Sequence, residues 1–215
     1  MVEEKSPLAQ KYDNLSVAEQ HSVDLALSLF NNEKYATLLH CLCPDDFELQ
    51  RFRQVLINAV VTTDIFDKDL KALREARWNE TYGEGCQRLD AKRVLDRKAT
   101  IIIELIIQVS DVSHTMQHWH VYQKWNKRLF QEMCDAYDGG RLSKHPAEGW
   151  YRGELWFFDN YILPLASKMR QCKVFGVSCD ELLHNARENR QEWVGKGQAI
   201  VADWVSERQV VQKDG

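Results

Sequence analysis

Nothing in this sequence is apolar for long enough to cross a membrane. Its longest hydrophobic run, Ile101 to Val109, is interrupted by Glu104 and reaches only about half the roughly 20 residues a spanning helix needs. There is no apolar leader either: the first ten residues, MVEEKSPLAQ, are acidic and polar, unlike a secretory signal. Basic residues are not in excess. Net charge is −4, which gives no general attraction to nucleic acid or anionic lipid. The expectation is a soluble, cytoplasmic protein with no nucleic-acid partner and no membrane span.

Close-set cysteines are scarce as well. Of six, only Cys41 and Cys43 lie close together, and a lone C-x-C without matching ligands is a weak zinc signal. Cys41, Cys43, Cys86, Cys134, Cys172 and Cys179 read as reduced packing residues of an intracellular protein. Alternating apolar and polar residues, internal repeats and low-complexity tracts are missing too, which removes strands, solenoids and linkers from consideration. What remains is helical spacing in a chain that is 44% hydrophobic, enough for one sizeable core. The fold class is therefore all-α.

Several helices are marked by their ends. Ser16-Val17-Ala18-Glu19 fits a capping box and opens a helix through Val23, Ala26, Leu27 and Phe30. Pro44-Asp45-Asp46 precedes Phe52, Val55, Leu56, Ala59 and Val60, an i, i+3, i+4, i+7, i+8 series. That helix should end near Thr62-Thr63-Asp64-Ile65, with a shorter one over Asp67 to Trp78 and a loop over Thr81 to Cys86. From Ala91, the run Ile101 to Val109 is apolar on every side, as in a helix buried at the centre of a bundle. A break over Ser113 to Gln117 precedes a helix carrying Trp119, Tyr122, Leu129 and Met133, stopped by Gly139-Gly140. An aromatic helix, Gly153 to Met169, should kink at Pro164. Ser178 to Glu181 is a second capping box, and Gly195 and Gly197 should loosen the last helix before Trp204.

The chemistry-bearing residues follow the apolar run. Asp111, His114 and His118 stand at i, i+3 and i+7 and would share one face of a continuous helix. They suit a metal site, or only a polar cap on a core element. Glu19 is explained by a cap alone, and Phe157 and Ile65 by a core alone.

Taken in order, several blocks resemble the class I 3′,5′-cyclic nucleotide phosphodiesterases. They are Ser6-Pro7-Leu8-Ala9, Tyr12-Asp13, Ser16-Val17-x-Glu19-x-His21, Thr63-Asp64-Ile65, Ser110-Asp111-Val112-Ser113 with Trp125 beyond it, and Glu154-x-x-Phe157-x-Asp159, ten residues from Glu154 to Pro164. Each block is weak alone; the ordered set along nearly the whole chain is specific. The resemblance implies a multi-helix bundle of the phosphodiesterase (HD-like) type. It places residues 1–205 as the C-terminal part of a catalytic domain and 206–215 as a tail.

The same resemblance assigns roles. Asp111 matches the last aspartate ligand of two divalent metals of Zn or Mg type, and Glu19 the glutamate that supports a general-acid histidine. His114 falls where a base-contacting asparagine usually stands. Phe157 matches the phenylalanine that stacks on the purine, with Ile65 as part of an opposing aliphatic wall. Such stacking is worth about 1–3 kcal/mol per base. Glu154 replaces a glutamine; an ionised carboxylate only accepts hydrogen bonds and would favour guanine over adenine. The family's H-N-x-x-H and H-D-x-x-H-P motifs do not occur, so the chain is expected to be N-terminally truncated, with an incomplete or absent metal site. Two functions stay open. One is a phosphodiesterase that hydrolyses cAMP and/or cGMP to the 5′-monophosphate in cyclic-nucleotide signalling. The other is a catalytically silent helical module that retains only the base pocket. Loss of the upstream part would also expose an apolar face suited to a homodimer.

Overall fold

The hydrophobic spacing resolves into helices throughout a computed structural model that describes residues 6–83 and 90–214. No strand occurs among the described residues, so the all-α class holds. The chain divides into two compact units, Met1–Asp111 and Val112–Gly215.

The first unit contains α1 (Pro7–Lys11), α2 (Val17–Phe30), α3 (Ala36–Leu42), α4 (Asp46–Val61), α5 (Lys68–Tyr82) and α6 (Ala91–Asp111). Local signals set several boundaries. The Asp45 side chain accepts from Glu48 N at the start of α4, and Asp67 accepts from Asp69 N and Leu70 N at the start of α5. Ser6 caps α1 through a bond from Ala9 N, with Pro7 in the first turn. The loop expected over Thr81 to Cys86 begins only at Gly83, because α5 runs through Tyr82; Cys86 lies outside the described residues. A short 3-10 turn, Glu33–Tyr35, and α3 were not marked by the pattern.

Two features depart from the sequence reading. Ser16 does not act as a capping-box residue: its backbone is left-handed at φ 36 and its side chain makes no cap bond. Its hydroxyl instead donates to Asp64 Oδ2 at 2.6 Å, while Asp64 Oδ1 accepts from Phe66 N and Asp67 N. The Thr63-Asp64-Ile65 block therefore ties the start of α2 to the α4–α5 loop.

Nor is α6 buried on every side. Ile101, Leu105 and Val109 face the core, but Ile103 and Ile106 are 36% and 38% exposed. The buried face also carries two polar residues, Glu104 and Gln108. Glu104 Oε1 accepts from Asn58 Nδ2 of α4 at 2.8 Å and pairs with the Arg77 guanidinium of α5. Gln108 Nε2 donates to the Thr62 carbonyl, which also accepts from Arg74. Three helices are thus held by one polar cluster as well as by apolar contact. On α2, α3 and α4, Leu25, Leu29, Leu38, Leu42 and Phe47 are all more than half exposed.

The second unit contains α7 (Trp119–Asp138), α8 (Trp150–Phe157), α9 (Leu163–Cys172) and α10 (Val177–Asp214). Its core is aromatic: Tyr122, Phe130, Phe158 and Trp193 are all essentially inaccessible. Leu129 of α7 is 46% exposed. Asn189 of α10 donates to the carbonyls of Thr115 and Gln117, and Asn185 to that of Met116. These bonds fix the 3-10 turn Ser113–Met116 to α10. The break expected near Ser113 is therefore real and structured.

The long aromatic helix does not simply kink at Pro164. Between α8 and α9 the backbone forms a π turn, Phe158–Ile162, in which Leu163 N–H bonds the Phe158 carbonyl five residues back. Pro164 has no N–H to continue the ladder and its ring crowds the preceding turn, which explains why the register widens just before it. The second capping box is also absent, since α10 already begins at Val177, after Gly176 at φ 56. Gly195 and Gly197 do not loosen α10, which runs unbroken to Asp214, through residues read from the sequence as a tail. Gly197 is needed for space: a Cβ there would lie 2.8 Å from Trp193 and 2.9 Å from Tyr151.

The described cysteines follow the packing expectation in part. Cys43, Cys134 and Cys179 are buried, Cys172 is half-buried and Cys41 is exposed.

Candidate functional site

Two i, i+4 pairs build the centre of the second unit. Tyr122 and Asn126 share a face of α7, and Trp150 and Glu154 share a face of α8. Where the faces meet, all four polar groups are joined. Tyr122 OH donates to Glu154 Oε2 at 2.6 Å, and Asn126 Nδ2 donates to the same oxygen at 2.6 Å. Asn126 Nδ2 also donates to Tyr122 OH at 2.6 Å, and Trp150 Nε1 donates to Asn126 Oδ1 at 2.7 Å. Tyr122 and Asn126 are buried, while Trp150 and Glu154 are half-buried.

Removal from water pushes the Glu154 carboxyl above its usual range, and the bonds from Tyr122 and Asn126 partly oppose this. Burial, with the Glu154 carboxylate beside it, holds the Tyr122 phenol well above its ordinary value. Tyr122 therefore remains a donor, and Glu154 Oε2 remains an acceptor of two bonds.

Phe157 follows three residues later. It is half-buried, with Tyr161 stacked on it at 5.4 Å between ring centroids and 16° between planes. Asp159, in the π turn, binds Arg190 of α10, with Nη2 2.8 Å from Oδ2. That bond holds the Asp159 carboxyl below its usual value. His114 lies half-buried in the 3-10 turn.

The remaining sequence candidates belong to the first unit. Glu19 is half-buried on α2, Ile65 is half-buried in the α4–α5 loop beside Asp64, and Asp111 is the exposed last residue of α6. Because α6 ends at Asp111 and a 3-10 turn follows, Asp111, His114 and His118 do not lie on one continuous helical face. Among the described residues no group of three His, Cys, Asp or Glu side chains is placed to hold a metal. A hard divalent ion needs several oxygen or nitrogen ligands. A single exposed carboxylate does not fit a two-metal centre.

Sequence reasoning singled out Glu154 but missed its partners. Asn126 and Trp150 carried a usable signal: each places a polar group four residues from another polar group, on helices otherwise rich in aromatics. The Asn58–Arg77–Glu104 cluster carried none, because its members come from three helices.

Residues 1–174 match the family model of the 3′5′-cyclic nucleotide phosphodiesterases. Among curated proteins, a dual-specificity calcium/calmodulin-dependent 3′,5′-cyclic nucleotide phosphodiesterase of Homo sapiens is 23% identical over 133 residues, 61% of this chain. A probable 3′,5′-cyclic-AMP phosphodiesterase of Caenorhabditis elegans is 26% identical over 137 residues, again 61% of this chain. The matches span only 16% and 19% of those relatives' length. Among solved structures, two of the phosphodiesterase domain of the Salpingoeca rosetta rhodopsin phosphodiesterase share the fold. Their TM-scores are 0.66 and 0.69, at 19% and 18% identity, covering 95% and 98% of this chain and 63% and 62% of theirs.

Proposed function

The chain belongs to the 3′5′-cyclic nucleotide phosphodiesterase family, and on that premise we propose that its second unit binds the base of a cyclic purine nucleotide, with Glu154 favouring guanine. The observation that carries this reading is the Glu154 carboxylate held by Tyr122 and Asn126. Both bonds go to Oε2, so Oε1 is the oxygen left outside the network. Ionised, Oε1 accepts from guanine N1–H and faces the N1 lone pair of adenine unfavourably. Protonated, the hydrogen sits on Oε1, because Oε2 already accepts two bonds, and Oε1 then donates to adenine N1. Base preference therefore follows the protonation of Glu154. Phe157 would stack on the purine, with His114 as a further base contact.

The family activity implies hydrolysis of cAMP and/or cGMP to the 5′-monophosphate with two divalent metals of Zn or Mg type. In this reading Asp111 is one metal ligand and Glu19 supports a general acid. Since Asp111 alone does not fit such a centre, the described residues support recognition of the nucleotide better than its cleavage. The second reading, a base-binding module without turnover of its own, rests on that same shortage of ligands.

Calorimetric titration of the purified 215-residue chain with cGMP and cAMP, with and without Mn²⁺, tests both. Binding of cGMP more tightly than cAMP, unaffected by metal, supports the base-site reading. Failure to bind either nucleotide overturns it. Metal-dependent release of 5′-monophosphate in the same samples overturns the silent-module reading.

A further inference from the structure

Between Asp24 and Asp45 only two residues are charged at neutral pH, the neighbouring and opposite pair Glu33 and Lys34. That is a long neutral interval in a chain of which 28% is charged, and much of it lies at the surface. Among the described residues from Asn31 to Leu42, Leu39 alone is even half-buried. Depletion of charge at an exposed apolar surface is the compositional mark of an interface core.

The charges at the edges of the interval are already engaged. Asp24 pairs with Lys11 at 2.6 Å and accepts from Tyr12 OH at the same distance. Asp45 caps α4 by accepting from Glu48 N. Lys34 lies over the Tyr35 ring, 5.8 Å from its centroid. The surface thus holds out no excess of either sign to an acidic or basic partner.

The third helix sharpens the point. At seven residues, α3 is well below the about 12–15 residues a helix needs to hold alone in water, so it depends on packing. Yet it contains no buried residue. Leu39 is half-buried and Cys43, at the C-cap, is buried, which marks the inner side of α3. Leu38 and Leu42 form an i, i+4 pair on the adjacent side, and both are more than half exposed. Leu25 and Leu29 repeat that arrangement on α2.

We propose that these two leucine pairs dock a second copy of this chain in an isologous dimer. A surface without net charge meets its own copy without like-charge repulsion. Anionic lipid is disfavoured, because Lys34 is the only basic residue in the interval. Area points the same way. With Tyr35 and Phe47, the four leucines leave roughly 600 Å² exposed, so two copies burying them remove about 1,200 Å², the lower bound for a specific interface. An interface of that size gives a dimer that forms with rising concentration. The inference does not depend on the base-site reading.

Sedimentation velocity of the 215-residue chain across the micromolar range tests it. The wild type is compared with Leu38→Glu/Leu42→Glu, with Leu25→Glu/Leu29→Glu, and with Leu95→Glu, a control at an exposed leucine of α6. Wild type and control should pass from monomer to dimer and stop there. Each paired variant should raise the dissociation constant about tenfold or more, because it buries unpaired carboxylates. Melting curves report folding; should the α3 variant unfold, the α2 variant decides. A wild type that stays monomeric, a dimer that survives the deciding variant, or assembly that continues past the dimer overturns the proposal. So does flotation with phosphatidylserine vesicles that carries the wild type but not that variant, which assigns the surface to a membrane.

Discussion

Arg77→Met should be the most damaging single change in the first unit, although Arg77 lies partly at the surface. Its partner, Glu104, has a side chain only 6% exposed, against 31% for Arg77. Methionine keeps the packed stem and removes the cation, leaving a desolvated carboxylate with Asn58 Nδ2 at 2.8 Å as its remaining donor. Breaking a fully buried ion pair in this way costs about 3–5 kcal/mol. Two features lower that figure here. The exposed part of Arg77 already screens the pair. A cavity of about 50 Å³ lined by Asn58, Thr62, Arg77 and Glu104 is large enough for a water to take over part of the bonding. The expected loss is about 2–3 kcal/mol.

The double variant Arg77→Met/Glu104→Leu removes both charges and leaves only Asn58 without its acceptor, a cost of about 1 kcal/mol. It should be more stable than Arg77→Met alone, with a coupling of roughly 1–2 kcal/mol. The chain has two units, so one unfolding curve is not a safe measure. Urea titration should be combined with amide exchange of α4, α5 and α6. A loss below about 0.5 kcal/mol in Arg77→Met, or no coupling in the pair, would mean that Glu104 is hydrated and that the cluster does not hold the three helices.

Gly195→Ala and Gly197→Ala should act in opposite directions although both lie on α10. A methyl at 195 meets nothing within 4 Å and should gain about 1 kcal/mol of helix propensity. One at 197 must displace Trp193, which is buried and bonded to the Tyr151 carbonyl; a cost of about 1–3 kcal/mol for overpacking should outweigh the gain. Thermal melts of both read the sign, and a stabilised Gly197→Ala would refute the packing argument. Ser16→Ala should lose about 1 kcal/mol through its missing bond to Asp64. Ser16→Gly should lose less, because glycine adopts the left-handed backbone without strain, and equal losses would refute that backbone argument. Burial raises the folded-state pKa of Glu154, so its protonated form favours folding; that contribution is complete below the unfolded glutamate value, about 4.3, and is lost as pH rises through the folded one. Glu154→Gln should therefore melt higher than wild type at pH 8, by a margin that shrinks toward pH 4; a margin independent of pH would refute the desolvated carboxylate.

The helical class was legible because its signals are local. Apolar spacing located α4 and α7, and the carboxylates of Asp45 and Asp67 do bond the first turns they precede. Local signals also misled where a distant residue competes for the same group. Ser16 carries the letters of a capping box, but Asp64, 48 positions away, takes its hydroxyl. The run Ile101 to Val109 reads as apolar all round because the exposure of Ile103 and Ile106 depends on which helices pack beside α6. Gly197 reads as a weak point only until two aromatic rings are set against it. In the candidate site, Glu154 stood out as the residue that broke a motif. Asn126 and Trp150 were legible only as i, i+4 partners of Tyr122 and Glu154; that the two pairs meet depends on α7 and α8 facing each other.

Glu104 and Glu154 differ in how the protein matches their charge. Glu104 has a cation, Arg77, and a neutral donor, Asn58, from two neighbouring helices. Its charge is matched within the protein, so it needs nothing from outside. The donors bonded to Glu154 among the described residues are neutral, the Tyr122 hydroxyl and the Asn126 amide. Neutral donors orient a carboxylate but do not cancel its charge, and burial raises the cost of leaving it uncompensated. In the proposed base site, a proton or a ligand N–H at Oε1 would complete the arrangement. A core residue selected for stability alone would have gained more from a glutamine, which satisfies the same two donors without the charge. Under the proposed base site, the glutamate that stands where the family motif has glutamine would answer to what approaches Oε1.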